Sequence, residues 1–578
     1  MLDAILTKVL WNRMISIVDE ASTGLVRSCY SINLRDYNDY CIGIFDTKGN
    51  MLVHSTETTP GFIGIMPEVM KNFLDAHPVD SFREGDVLAT NDPWLATGHL
   101  PDISIAQPIF HDGRVIGFAV CVAHHLDIGG RMACIDSRDM YEEGLKIPIV
   151  KLYDAGKRND LVFEFLRANV RVSHQVIGDV NAQLVAAEMC AAGVLRMIAE
   201  YGFKDLDLLA ATIMDLGEKS MRQQIRALPN GTYSNSVLLS PLKNGTDPIR
   251  INVNIIVEDE ELTVDYTGSN EEVELAVNVC LSMTVSYSNY PIKVALDPLV
   301  PNNAGCLAPI KVIAPPGLLN CSPPAPTWGR AMITHNLPEL IFGALADAMP
   351  DRVVASAGST PLHMLYFNGR NRDGTDFIAL SSHMGGFGAG AETDGHSTMS
   401  FPYNIASIPV EAVENEACIL YESKELALDT AGPGRHRGGL GQEVVITVPE
   451  DPDHAPVKPL ATIIRGADRS PDSPNPIHGR HGGKPGRGTS FSHNGREVPF
   501  NTGFQFKPGE RVRLVVPGGG GFGDPLERDP QAVLADVRAG LVSEQGARDD
   551  YGVILDADLA AVDAEATGKL RAERQAAA

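Results

Sequence analysis

The stretch Asn91–Gly130, NDPWLATGHLPDISIAQPIFHDGRVIGFAVCVAHHLDIGG, places His99, Asp102, His124 and His125 within one short span. Imidazole nitrogen together with carboxylate oxygen is a ligand mix for zinc, manganese or non-haem iron. His99 and Asp102 stand three positions apart in HLPD. Gly98 and Pro101 bracket His99, so the sequence predicts a constrained loop in which both side chains can chelate one ion.

A strand must carry the histidine pair. VIGFAVCVAHH, residues 115–125, lies between Asp112-Gly113 and Gly129-Gly130 and reads as a buried strand. Alternation puts Ile116, Phe118, Val120, Val122 and His124 on one face and Gly117, Ala119, Cys121, Ala123 and His125 on the other. Both histidines cannot face one ion while the strand stays regular. His124 extends the bulky face and is the candidate ligand; His125 is then expected to orient a ligand or meet a substrate. His125, Asp127 of the same loop and Glu142 of MYEEGLKIP are the candidate catalytic groups, with Glu143 beside Glu142 as its rival.

Around this span, residues 4–26 read as an amphipathic helix. Residues 35–54 read as a hairpin and residues 60–76 as a loop and a helix begun by Pro67. From 160 to 228 the text is Ala-rich and helical. At Pro229 it turns to alternating strands with Asn-Gly turns. The fold class is therefore α+β: a multidomain mixed α/β chain with antiparallel β-rich middle and C-terminal parts and a helical segment near 160–228. Four domains are expected. These are 1–230, an α/β metal-binding domain; 231–345, β-rich with a Pro/Gly linker; 346–450, α/β with a Gly-rich loop; and 451–578, β-rich with a helical tail whose last residues fray.

The motifs of the central span, N-D-P-W, G-H-L-P-D-I and A-H-H-x-D-I-G-G, resemble the hydantoinase B/5-oxoprolinase family, whose relatives include subunits of acetone and acetophenone carboxylases. Further matches are Tyr141–Pro148, Asn169-Val-Arg171, the run GPGRHRGG at 432–439 and PGGGGFGDP at 517–525. In this family an Asp precedes an aromatic and a short strand ending in F-D. Asp39-Tyr40 and Phe45-Asp46 match it, so the resemblance implies that Asp39 gives the metal a further carboxylate beside His99, Asp102 and His124; Asp36 is the rival there. It also implies a substrate-facing role for the loop 383–404.

Composition bounds the partners. A formal net charge of −25 argues against nucleic acid, because phosphate neutralisation needs a basic surface. The N-terminus shows no signal-peptide pattern, and no apolar run reads as a membrane span. Nine cysteines scattered singly suit a reduced, cytoplasmic protein. HGRHGGKPGRG, residues 478–488, is basic and glycine-rich enough to cradle an anion. PGGGGFGDP satisfies G-x-G-x-x-G only formally: Asp524-Pro525 intervenes where a helix should open, so it reads as a tight turn. No Walker A motif occurs.

That absence agrees with the resemblance, which implies a hetero-oligomer whose ATP is held by a hydantoinase A-type ATPase partner. The leading expectation is the metal-bearing half, with zinc, manganese or iron, of an ATP-dependent hydrolase that opens a lactam or cyclic imide after substrate phosphorylation. The ion would activate water for attack on the carbonyl. The alternatives are the metal-bearing half of an ATP-dependent ketone carboxylase, and a non-catalytic scaffold with a structural ion.

Overall fold

The computed structural model describes residues 2–371, 373–451 and 453–577. Its first layer is a seven-stranded sheet of β1 (Tyr40–Phe45), β2 (Met51–His54), β3 (Val87–Thr90), β4 (Asp102–His111), β5 (Arg114–His124), β6 (Val150–Asp154) and β7 (Lys157–Arg158). The order is β2-β1-β5-β4-β3-β6-β7, and every neighbour is antiparallel. Asp112 and Gly113 close the β4–β5 hairpin with φ of 49° and 75°. A two-residue turn with both central residues left-handed matches strand twist, which is why Asp-Gly stands there. Ile109 faces Gly117 and Phe110 faces Val115, so Ile116 is bulged out of register. For that reason Ile116 packs on the face opposite Phe118, Val120 and Val122, against the alternation expected of a regular strand.

Two long helices cover that opposite face. Ala4–Ser28 starts on Asp3, whose Oδ1 accepts from the backbone N–H of Ile5 at 3.0 Å and Leu6 at 2.9 Å, an N-cap that satisfies otherwise orphaned donors. It buries Leu10, Met14, Ile17, Val18 and Leu25. Ser173–Tyr201 lies against it so closely that a Cβ on Gly193 would come 2.5 Å from Ile17 Cγ2. By length and composition this 29-residue helix could cross a membrane, contrary to the expectation that no run reads so. Its Val180, Ala187, Cys190, Val194 and Met197 are buried in the core shared with the sheet and Ala4–Ser28.

The other face of the sheet joins a second core. A four-stranded sheet (Gly231–Leu239, Ile249–Glu258, Glu261–Asp265 and Ile310–Ile313) and the helices Leu281–Leu296 and Leu337–Leu345 pack there. Phe118, Val120 and Val122 share one apolar cluster with Ile251, Val253, Met283 and Ile341. The texture change near residue 230 is therefore a change of element, with the core running across it.

Residues 346–578 form two further sheets. The third holds His363–Arg370, Asp376–His383, Leu460–Arg465 and Thr502–Phe506; the fourth holds Leu420–Leu426, Gln442–Thr447, Ser490–His493, Arg496–Glu497 and Arg511–Val515. Both sheets draw strands from either side of residue 450, so the segments 346–450 and 451–578 interleave. The tail expected to fray is a helix, Ala564–Ala577, whose Arg571 donates to the carbonyls of Tyr551 at 3.0 Å and Arg528 at 2.8 Å.

Glycine-rich segments fill the space beside these sheets. Residues 385–390, 432–441, 479–486 and 517–523 run alongside one another, joined by backbone hydrogen bonds such as Gly432 N–H to Gly519 O (2.7 Å), Gly519 N–H to Gly439 O (2.9 Å) and Gly521 N–H to Lys484 O (3.0 Å). A Cβ on Gly386 would lie 1.9 Å from Gly439 O, and one on Gly519 would lie 2.1 Å from Phe387 O. Only glycine permits such approach. PGGGG, expected as a tight turn, is thus an extended central member of a stack. In HGRHGGKPGRG, the N–H groups of Arg480, Gly483, Lys484 and Gly486 donate to backbone carbonyls and offer no cradle to an anion.

Candidate metal centre

Strand register assembles the centre. β1 and β4 flank β5, with Tyr40 opposite Ala123 and Asp102 opposite His124. The His124 N–H donates to the Asp39 carbonyl at 3.0 Å. Asp39, His124 and Asp102 therefore stand abreast at one end of the sheet. His99 comes from the preceding loop, where Gly98 takes φ of 80°. Asn91 pins that loop: its Nδ2 donates to Leu100 O at 2.7 Å and Leu145 O at 2.9 Å, and its Oδ1 accepts from Ile147 N–H at 2.6 Å.

The ligand atoms of His99, Asp102 and His124 all lie within 4.8 Å of one another. Asp102 Oδ1 is 2.6 Å from His124 Nδ1 and 2.9 Å from His99 Nε2. Asp102 Oδ2 accepts from Arg330 Nη2 at 3.0 Å, and Arg330 Nε donates to Thr97 O at 2.9 Å. Asp39 stands outside that group of three, on the wall of the same cavity, where its Oδ1 accepts from the Thr59 hydroxyl at 2.9 Å.

Burial and charge set the protonation of each group. Burial pushes His99 down to about 3, helped by the Arg330 guanidinium, so its ring is neutral. For Asp102 burial acts upward, but the two imidazoles beside it, His99 and His124, prevail and hold the carboxyl well below its usual range. Burial acts downward on His124, and the Asp102 hydrogen bond outweighs it and raises the imidazole. Asp39 is raised, chiefly by burial. These shifts follow the usual rules for desolvation and neighbouring charge.

The donor set fits a cation. His99 Nδ1 approaches Trp328 O at 3.4 Å; with the ring proton on Nδ1 the lone pair lies on Nε2. That Nε2 is buried and has no hydrogen-bond partner, although Asp102 Oδ1 is 2.9 Å away. In that tautomer two electron-rich atoms face each other, and a cation between them would satisfy both. Two imidazoles and a carboxylate suit a divalent transition ion better than the cysteine-rich shells of structural zinc.

Other candidates lie elsewhere. His125 falls on the opposite face of β5: its Nε2 meets Gln183 of Ser173–Tyr201 at 3.0 Å, as the one-residue step along a strand requires. Asp127 is buried in the following loop, where it accepts from Gly129 N–H at 2.9 Å and pairs with Arg171 at 2.7 Å. Glu142 lies at the surface between Arg131 and Arg138. None of the three lines the cavity, so the structure does not bring the candidate catalytic groups His125, Asp127 and Glu142 to it. Glu143 is the buried member of its pair. Its Oε1 accepts from the N–H groups of Thr327 and Trp328, both at 2.9 Å. It thereby holds the loop that delivers Trp328 and Arg330 to the site.

The cavity measures about 80 Å³ and is also lined by Tyr287, Trp328, Arg330, His335, Tyr403 and Arg465. Sequence reading missed all six. Each comes from more than a hundred residues downstream of the histidine span, and no local motif marks it. On the far side of the wall formed by residues 58–64 and the helix Leu281–Leu296 lies a second cavity of about 600 Å³. Met399, Ser400 and Phe401 of the loop 383–404 line that larger space, while His383 is buried against Ser381.

The model of the hydantoinase B/oxoprolinase family matches residues 3–525. The chain belongs to that family. It is 31% identical over 597 residues to a protein of Pseudomonas sp. (strain NS671) provisionally named as the B component of a D-/L-hydantoinase, covering 99% of this chain and 98% of that one. The crystal structure of ATP-dependent caprolactamase from Pseudomonas jessenii superposes with a TM-score of 0.88 at 27% identity, covering 99% of this chain and 100% of the other. Nucleotide-free acetone carboxylase gives the same TM-score of 0.88 at 20% identity, over 99% and 83% of the two chains, a likeness of fold. The α+β architecture with its several sheets is that of the hydantoinase B family.

Proposed function

We propose that this chain is the metal-bearing component of an ATP-dependent amidohydrolase, opening a lactam or cyclic imide that a hydantoinase A-type ATPase partner has phosphorylated. The convergence of His99, Asp102 and His124, with His99 Nε2 left unpartnered in a buried pocket, carries the reading. Relatives named as the B component of a hydantoinase and as an ATP-dependent caprolactamase support the reaction class, and the naming of a B component supports a partner. A divalent ion held by those three residues, zinc or manganese by its ligands, would polarise the acyl oxygen as a Lewis acid.

The chain's own residues do the rest. Arg330 fixes the Asp102 carboxylate from its outer oxygen, so the inner oxygen keeps its direction when substrate enters. Asp39, raised by burial, is the carboxyl that would take a proton from the water adding to the acyl carbon and return it to the ring nitrogen as the C–N bond breaks; a second water then hydrolyses the remaining acyl phosphate to carboxylate and phosphate. Trp328, Tyr287 and Tyr403 wall the pocket and exclude bulk water from an activated acyl group.

Co-expression with an A-type ATPase partner, followed by assay of hydantoins, 5-oxoproline and lactams with and without ATP, tests this. ATP-dependent ring opening that disappears in His124→Ala is the expected result. Incorporation of labelled bicarbonate with ketones, and no ring opening, would assign the site to carboxylation instead.

A further inference from the structure

Among the described arginines that are less than a tenth exposed, Arg465 alone has no ion pair; Arg437 meets Asp536 at 3.4 Å. Arg330 meets Asp102 at 3.0 Å, Arg469 meets Glu339 at 3.1 Å, and Arg528 meets Asp394 at 2.7 Å and Asp536 at 2.8 Å. Arg465 is only 6% exposed, yet among the described residues no carboxylate pairs with it. Its Nη1 makes one long contact, 3.5 Å, to the Tyr366 hydroxyl, and its buried Nε has no partner at all. A guanidinium removed from water and left unpaired is strongly disfavoured unless something anionic completes it.

The strand explains where this group points. Arg465 ends Leu460–Arg465 and stands opposite Met364 of His363–Arg370. Alternation buries Leu365, Phe367 and Ile464 in the core of the third sheet. Met364, Tyr366 and Arg465 go to the other face and line the metal cavity. His335, on the same cavity, also carries a buried and unpartnered Nδ1.

We propose that Arg465 forms an oxyanion subsite of the metal cavity, binding the phosphoryl or carboxylate group of the substrate through its guanidinium fork. The inference rests on the hydrolase reading for the identity of that substrate, and on geometry for the site itself. Charge balance favours a dianion. Asp39 and Asp102 offset Arg330 and Arg465 within the cavity, so a divalent ion leaves two positive charges that a phosphoryl group neutralises. The planar guanidinium, whose one side-chain contact is the 3.5 Å approach of Nη1 to Tyr366, suits two parallel hydrogen bonds to a tetrahedral oxyanion. The neutral His335 ring adds a donor or acceptor at Nδ1. Arg465 is a binding and positioning residue: it would fix the activated acyl group against the histidines contributed by the opposite sheet.

The test uses the full chain alone, without ATP or partner, so that its outcome is independent of the amide-hydrolysis screen. Inorganic phosphate and, in a parallel arm, acetate are titrated calorimetrically into protein loaded with zinc or manganese and freed of excess metal, at neutral pH and 0.15 M salt. Phosphate should bind wild type, weaken at least tenfold in Arg465→Gln, and weaken less in Arg465→Lys, which keeps charge and loses the fork. Tyr366→Phe, which leaves the guanidinium in place, should keep the affinity within a few-fold. Acetate binding in place of phosphate, with the same loss in Arg465→Gln, supports the subsite and makes its occupant a carboxylate. Equal phosphate affinity in wild type and Arg465→Gln overturns the proposal. Should Arg465→Gln not fold, wild-type protein that neither binds phosphate nor gains melting temperature from it overturns the proposal equally.

Discussion

The candidate metal pocket and the glycine stack are opposite solutions to the same problem of bringing distant segments together. In the pocket, side chains from the first sheet, the loop at Trp328 and the third sheet converge, and each identity matters because of its chemistry. In the stack, residues 385–390, 432–441, 479–486 and 517–523 meet backbone to backbone, and what matters is the lack of a side chain. A change in the pocket is therefore expected to act first on chemistry, and a change in the stack first on the fold. Function and stability are separable in this molecule because they are written in different parts of it.

Gly519→Ala should break the stack outright. Its Cβ would sit 2.1 Å from a backbone oxygen, so we expect a loss of more than about 4 kcal/mol or no soluble protein, read by denaturant melts. His124→Ala should do the reverse. It should keep its circular dichroism spectrum and lose bound metal by elemental analysis, with turnover down by about a hundredfold or more. A folded Gly519→Ala protein beside an unfolded His124→Ala protein would invert the comparison and sink it.

Asp39→Asn sharpens the pocket's own division of labour. Standing outside the three-residue group, it should keep the metal while turnover falls by about 10²–10⁴-fold; metal loss would instead make Asp39 a fourth ligand. Acidification probes the buried histidines together. Burial pushes His99 down to about 3 and His363 down to about 4, so below about pH 6.5 the unfolded chain binds protons that the folded chain refuses. Metal-free protein should lose about 1.4 kcal/mol per pH unit per such histidine between pH 6.5 and 4. Glu143, pushed up to about 7 by burial, works in the opposite sense over the same interval, so the check is relative: wild type should lose stability more steeply than His363→Gln, and equal slopes would contradict the burial of that ring. The smallest contrast lies between neighbours. Glu143→Gln should cost about 1–3 kcal/mol through two weakened backbone contacts, while Glu142→Gln at the surface should leave the melting temperature unchanged.

The sequence displayed the pocket's local half and hid its other half. His99, Asp102 and His124 were legible because a hairpin keeps them close along the chain and alternation assigns His124 to one face. Arg330 and Arg465 reach the cavity from other layers, and nothing in their flanks distinguishes them from ordinary arginines. Glu142 and Glu143 differ by one position, and only the packing against Thr327 shows which is buried. The helices and the antiparallel strands followed from periodicity. The glycine segments did not, because backbone-to-backbone packing leaves no hydrophobic period to read.

The bulged Ile116 has a consequence for the doublet His124-His125. Counted from the Asp112–Gly113 turn, an unbroken ladder would set Ala123 across from Asp102; the extra residue at Ile116 is what brings an imidazole to that rung. Loss of one residue from this arm of the hairpin could be met in two ways. Ironing out the bulge would leave His124 where it stands, and keeping the bulge would draw His125 into its place. Tandem imidazoles thus make the hairpin tolerant of a parity error: after a single deletion, whichever frame the strands adopt, a nitrogen ligand still stands across from the aspartate.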